Sequence, residues 1–247
     1  MEYIYGKNSV LELLNTDWQI YEIMVSRTLE DKKLIDFLKS KKVKLTFCDK
    51  KELDDLVSGN HQGIVAKVED FKYVSLEEIL ENKKGIYNFI VILDHIEDPH
   101  NLGAILRTVE AVGADGVIIP KDRSVKVNPT VLKTSVGAAL HVPICIVSNL
   151  NDTIHKLKKV GIWIVGTSAK ETSVHYQSID YKMNLAVVIG NEGKGLSDLV
   201  RKKCDFLIKI PMKGKINSLN ASVATGVILY EVLRQRETQG GGNNQKL

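Results

Sequence analysis

The apolar positions of the chain fall into two rhythms. Over residues 1–70, short stretches of different period follow one another. Residues 9–14 and 33–38 repeat apolar side chains at helical spacing, Tyr21-Glu-Ile-Met-Val25 is strand-like, and Val43-Lys-Leu-Thr-Phe47 alternates as a half-buried strand does. Residues 51–57 return to helical spacing and 63–68 to a strand. Residues 71–88 are charged and predict a linker with a short helix over 76–81. From Phe89 the strands become continuous apolar runs, at 89–93, 116–119, 143–147, 162–165, 185–189 and 206–210. Helical stretches at 101–112, 129–135 and 154–160 separate them, and a long helix over 221–236 follows. Strands without polar alternation need cover on both faces. Residues 89–236 therefore predict an α/β domain built on a mostly parallel sheet flanked by helices, joined to a small α/β domain over 1–70. The polar, Gly-rich residues 237–247 predict a disordered tail.

Composition narrows the function classes. Hydrophobic residues are 44% and charged residues 26% of the 247, ordinary for a soluble globular chain. No apolar run approaches the roughly 18 residues that span a bilayer, and the first residues lack the basic-then-apolar order of a secretory signal. Cys48, Cys145 and Cys204 are odd in number and far apart, so neither a disulfide framework nor a zinc spacing emerges, and a reducing cytoplasm fits. No metal is expected. Charge is uneven: residues 1–85 carry 14 Lys+Arg against 16 Asp+Glu, whereas residues 86–247 carry 20 against 14. A polyanionic partner is permitted, with the excess positive charge in the second part.

Three segments that each follow a strand-like run hold glycines beside polar groups: 98–107, 189–195 and 210–222. In the first, Asp98-Pro99 starts a turn, Asn101 can cap the next helix, and Arg107 shares a helix face with Gly103. In the second, Glu192 stands between glycines on an open loop; Leu196 after Gly195 rules out a phosphate loop of the Lys-Ser/Thr type. In the third, Ser218 and Asn220 can cap the long last helix, whose small residues Ala224 and Gly226 suit close packing against a neighbour. Taken alone, each segment also has a plain reading: a turn with a surface arginine, a solvated loop carboxylate, and simple capping.

Taken together and in order, Asp98-Pro-His-Asn-Leu-Gly-Ala-Ile-Leu-Arg107, Gly190-Asn-Glu-Gly-Lys-Gly195 and Ile210-Pro-Met-Lys-Gly-Lys-Ile-Asn-Ser-Leu-Asn-Ala-Ser-Val-Ala224 closely resemble the three motifs of the SpoU (TrmH-type) branch of the SPOUT RNA methyltransferases. Tyr5-Gly-Lys-Asn-Ser-Val-Leu-Glu-Leu-Leu14 and His61-Gln-Gly-Ile64 resemble the L30e/L7Ae-like substrate-binding domain of some members. The chain is most similar to the bacterial 23S ribosomal RNA guanosine 2′-O-methyltransferase subgroup. That resemblance implies a deep C-terminal trefoil knot, a homodimer, S-adenosylmethionine as methyl donor and a ribose 2′-hydroxyl as acceptor. It implies Asn101, Arg107, Glu192, Ser218 and Asn220 as polar active-site positions. Thr167, Gly190, Asn191, Gly193, Ile210, Met212, Ser218 and Leu219 would surround the donor. Arg123, Lys126 and Lys133 are candidates for phosphate contact, or plain solvated side chains. A tRNA methyltransferase and a non-catalytic RNA-binding or assembly protein are the competing readings.

Overall fold

The computed structural model describes residues 2–168, 172–191, 193–215 and 218–237. The chain divides into two compact units, Met1–Lys72 with Val127–Gly137, and Tyr73–Lys126 with Ala138–Leu247.

In the first unit, strands β1 (Glu2–Tyr5), β2 (Ile20–Ser26), β3 (Leu45–Cys48) and β4 (Ile64–Val68) form a sheet in the order β1-β4-β2-β3. β4 runs antiparallel to β1 and β2, and β2 parallel to β3. β4 is interior because Ile64, Val65, Ala66 and Val68 are all fully buried. Helices α1 (Lys7–Leu13), α2 (Lys32–Lys39) and α3 (Lys50–Leu56) cover the sheet through Val10, Leu13, Leu38 and Leu53. The turn into β4 is set by His61, whose Nδ1 accepts from Gly63 N–H at 3.0 Å while Nε2 donates to Asp54 Oδ1 at 2.9 Å. The chain returns here at α6 (Pro129–Thr134), where Thr130 Oγ1 and Lys133 Nζ both reach the Glu12 carboxylate on α1, at 2.9 and 3.3 Å.

The second unit holds α4 (Leu76–Glu81), β5 (Phe89–Asp94), α5 (Pro99–Ala111), β6 (Gly116–Pro120), β7 (Ile144–Val147), α7 (Leu150–Lys159), β8 (Trp163–Thr167), β9 (Val174–His175), β10 (Leu185–Gly190), α8 (Asp198–Lys203), β11 (Phe206–Lys209) and α9 (Ala221–Glu237). Its seven strands lie in the order β7-β6-β5-β10-β8-β11-β9, every neighbouring pair parallel. One face packs on α4, α7 and α8 through Ile79, Ile90, Ile92, Ile154, Ile164, Val188 and Val200. Fully burying an aliphatic side chain contributes roughly 1.5–3 kcal/mol, which is why the apolar runs dominate the fold. α4, within the segment that reads as a linker, buries Ile79 completely in this core. On the other face α5 packs against α9. The far end of α9 is pinned by Arg236, whose guanidinium donates to the carbonyls of Tyr181, Tyr87, Asn88 and Met183 at 2.8–3.3 Å and lies 4.8 Å over the Phe89 ring. Burial pulls its pKa down to about 10.

Candidate active site

Because the larger sheet is parallel, all its carboxyl ends meet one edge. Loops leaving there are neighbours however far apart they lie in sequence. β10 sits between β5 and β8, where the strand order turns back on itself, and such points open a crevice. β5, β10, β8 and β11 therefore deliver their exit loops side by side, from Asp94, Gly190, Thr167 and Lys209.

The loop after β5 starts from a buried carboxylate. Asp94 Oδ2 accepts from Ser197 N–H at 2.7 Å, and Oδ1 lies 2.5 Å from His95 Nδ1. His95 occupies the left-handed region at φ 64, and its carbonyl accepts from Asn191 Nδ2 at 3.0 Å. Two bonds thus clamp the loop after β5 to the loop after β10. Asp94 and His95 were missed by sequence reasoning. The available signal was a carboxylate closing the apolar run Phe89-Ile-Val-Ile-Leu93, a position where burial demands a partner.

Asp98, not Asn101, caps α5: its side chain accepts from His100 N–H at 3.1 Å, and its carbonyl accepts from Leu102 N–H. This corrects the expectation that Asn101 is the cap. Pro99 has no N–H to satisfy and its fixed φ suits the first helical position, so the helix starts two residues earlier. Asn101 instead sits in the first turn, 7% exposed. There Asn220 Nδ2 donates to Asn101 Oδ1 at 2.9 Å, joining the first and third motifs. Asn220 Oδ1 accepts from Ser222 N–H, Ser222 Oγ and Val223 N–H, so the same side chain also caps α9. Ser218 is exposed on the approach to α9 and Leu219 is half-buried.

In the second motif, Asn191 and Gly195 exchange backbone hydrogen bonds of 3.2 and 2.8 Å. Asn191 Oδ1 accepts from Gly193 N–H at 3.0 Å, closing the turn. Gly190 faces this turn so closely that a Cβ would lie 2.4–2.6 Å from the Gly195 and Leu196 main chain. Glu192 lies outside the described residues.

An adenosine-bearing donor needs backbone hydrogen-bonding groups beside a small apolar surface. The three adjacent exits offer both: Thr167, Ile210 and Leu219 are half-buried, Met212 is exposed, and the glycine turn packs against the end of β10 with no intervening side chain. Ser173, in the stretch between β8 and β9, keeps its hydroxyl buried with no partner among the described residues. These residues fit such a group. Among the described residues no three His, Cys, Asp or Glu side chains cluster as metal ligands.

Arg107 lies six residues beyond Asn101, about 9 Å further along α5 by helical rise. Its side chain is exposed and bonded to nothing among the described residues, so this chain alone does not bring it to the Asn101–Asn220 pair. Arg123, at φ 51 in the turn after β6, and Lys126 are both exposed. Lys133 is engaged by Glu12 within the first unit. No helix among the described residues is long and apolar enough to cross a membrane.

Comparison with known proteins agrees with this geometry. Residues 88–230 match the model of the SpoU rRNA Methylase family, and residues 3–74 match a domain described as RNA 2′-O ribose methyltransferase substrate binding. YacO of Bacillus subtilis, assigned by name to the TrmH family of tRNA/rRNA methyltransferases, is 45% identical over 244 residues, 97% of this chain and 98% of its own. The AdoMet-bound rRNA methyltransferase of Sinorhizobium meliloti is 26% identical, with a TM-score of 0.63 over 94% of this chain and 86% of its own. The A. aeolicus TrmH/SpoU tRNA modifying enzyme is 36% identical, with a TM-score of 0.59 over 67% of this chain and 82% of its own. A parallel sheet whose crossing point gathers the three motifs, together with these matches, establishes that the chain belongs to the SpoU (TrmH-type) family of RNA methyltransferases, enzymes that use S-adenosylmethionine as methyl donor.

Proposed function

We propose that the protein methylates a ribose 2′-hydroxyl of a guanosine in 23S ribosomal RNA, and that it does so in the cytoplasm as a homodimer of the RlmB-like subgroup. One observation carries the ribosomal choice. The S. meliloti rRNA methyltransferase matches 94% of the chain, first unit included, whereas the tRNA modifying enzyme matches 67%. The higher identity of that tRNA enzyme, 36%, favours a tRNA substrate as the second reading.

S-adenosylmethionine, when bound, supplies a methyl group already activated on sulfur. The chain must add alignment and help in losing the hydroxyl proton. Alignment alone can remove several kcal/mol of barrier, of the roughly 7–11 kcal/mol available to orientation. Main-chain groups at Thr167, Gly190, Asn191, Gly193, Ile210, Met212 and Leu219 hold the donor, and Ser218 orients the acceptor hydroxyl. Asn220 is committed to the α9 cap and to Asn101, so we assign it to positioning Asn101 and the third loop. Arg107 stabilises the developing alkoxide or grips the adjacent phosphate, with Glu192 steadying it. Its exposure on α5 suits presentation to the site of a second copy. The half-exposed Val223 and Tyr230 on α9 support that pairing, as does open space where a Cβ at Gly226 would sit. The close packing expected at Gly226 is absent within one chain, so a second copy would supply it. Arg123 and Lys126 are assigned to RNA phosphates and the knot to the 89–236 domain.

The test is methyl transfer from labelled donor to purified ribosomal RNA and tRNA from cells lacking the gene, followed by mapping of the alkali-resistant nucleotide. Label confined to tRNA would overturn the ribosomal assignment, and label on a base would overturn the ribose.

A further inference from the structure

A carboxylate buried without partners is costly, so a buried aspartate stands where the fold uses its bonds. Asp94 and Asp115 are 0% and 1% exposed. Asp115 stands at the amino end of β5, where it accepts from Phe89 N–H at 2.7 Å and from Lys84 N–H at 2.9 Å. It ties down the segment that enters the strand. Asp94 stands at the carboxyl end of β5, opposite Gly190 of β10. Its partners are the N–H of Ser197, 103 residues away, and the ring of its neighbour His95.

Those two bonds reach both ends of the turn that bears the second motif. Ser197 closes the turn on the α8 side. On the β10 side, Asn191 Nδ2 donates to the carbonyl of His95, whose ring Asp94 holds. His95 keeps φ 64, unfavourable for a residue with a side chain, and such strain persists only where surrounding bonds enforce it. Between these fastenings Gly193, Lys194 and Gly195 are exposed. Among the described residues the remaining hydrogen bonds of the turn are internal: the Asn191–Gly195 exchange, and those from Gly193 N–H and Lys194 N–H to Asn191 Oδ1. Leu196 adds a buried apolar anchor, but burial is non-directional and does not set where main-chain groups point.

We propose that Asp94 is a positioning residue for the methyl donor. It touches no donor itself. It fixes, at both ends, the turn whose main chain presents hydrogen-bonding groups to S-adenosylmethionine, and a turn held in place beforehand costs less to order on binding. The proposal rests on the donor lying against this turn.

Asp94→Ala should weaken donor binding about tenfold or more by titration calorimetry, the equivalent of one charged hydrogen bond. The donor KM should rise by a similar factor, while kcat at saturating donor and the KM for RNA stay within about threefold. Asp94→Asn keeps an acceptor for Ser197 N–H but loses the charge, so the loss should shrink to about threefold. Asp115→Ala is the control, since it removes two carboxylate bonds from the other end of β5. Its Tm should fall as that of Asp94→Ala does, with donor affinity unchanged. Amide hydrogen exchange over residues 191–197, without donor, should quicken in Asp94→Ala and not in Asp115→Ala. Parental donor affinity in Asp94→Ala, or an equal loss in Asp115→Ala, would overturn the proposal. If Asp94→Ala does not fold, parental affinity and exchange in Asp94→Asn overturn it equally. Failure of the unaltered protein to bind donor would instead count against the donor cradle, while exchange over 191–197 still decides whether Asp94 holds the turn.

Discussion

Gly190→Ala probes the construction of the proposed donor cradle. A Cβ there would stand 2.4 Å from Gly195 C, 2.5 Å from Leu196 N and 2.6 Å from Gly195 O, where ordinary contact begins at 3.4 Å. The shortfall reaches 1.0 Å, and all three obstacles are main chain, so no side-chain rotation relieves it. β10 is bonded along both edges, to β5 with Gly190 opposite Asp94 and to β8, so the turn must yield. Moving it breaks the Asn191–Gly195 exchange and draws Ser197 N–H from Asp94, whose buried carboxylate then loses an acceptor role worth about 1.5–3 kcal/mol as a charged hydrogen bond. Adding a similar overpacking cost of about 1–3 kcal/mol gives a destabilisation on the order of 2.5–6 kcal/mol. At about 2–4 °C per kcal/mol for a chain of this size, Tm should fall by roughly 5–24 °C. Below that temperature donor affinity, read by titration calorimetry, should fall about tenfold or more. Gly193→Ala is the control: its Cβ would meet only Asn191 Oδ1, at 3.7 Å, so stability should stay within about 0.5 kcal/mol. A Gly190→Ala protein with unaltered Tm and donor affinity would refute both the rigidity assigned to the turn and its place in the cradle.

Arg107→Ala should lower methyl transfer at saturating substrate by about 100-fold or more while leaving Tm and donor affinity nearly unchanged, because the side chain is exposed; unaltered turnover would remove it from the mechanism. Asn220→Ala removes both the α9 cap and the bond to Asn101, and denaturant unfolding should show a loss of about 1–3 kcal/mol. Arg236→Met strands carbonyls of Tyr87, Asn88, Tyr181 and Met183 that the guanidinium now serves; a Tm equal to the parent's would show that water replaces it at no cost. Hydrogen bonds from Arg234 hold the Glu231 carboxyl below its ordinary pKa of 4.5. The resulting stabilisation is complete above that value and drains away as pH falls through the lower folded pKa. Tm measured from neutral pH downward should therefore drop on the acid side, and Glu231→Gln should flatten that drop.

The strands that read most plainly from the sequence are those whose burial is complete. The runs at 89–93, 116–119 and 185–189 correspond to β5, β6 and β10, because a strand covered on both faces has few polar positions to blur the signal. The pattern passed over β1, β9 and α8. β1 buries one residue of four, β9 has two residues, and α8 inserts only Val200 into the core, so none carries enough apolar positions to set a period. It also set Asn101 at a helix start. Asp98 and Asn101 are both good caps, and only the path of the chain through Pro99 chooses between them.

Residue order alone determined that three glycine- and asparagine-bearing turns follow buried strands, since turn chemistry and apolar run length are local properties. It did not determine that the turns meet. His95 and Asn191 are 96 residues apart, and Asn101 and Asn220 are 119 apart, yet each pair is hydrogen-bonded. Those contacts exist because β10 enters the sheet between β5 and β8. Strand order is settled by which buried faces complement one another across the whole core, a choice that leaves no mark on any single stretch of sequence.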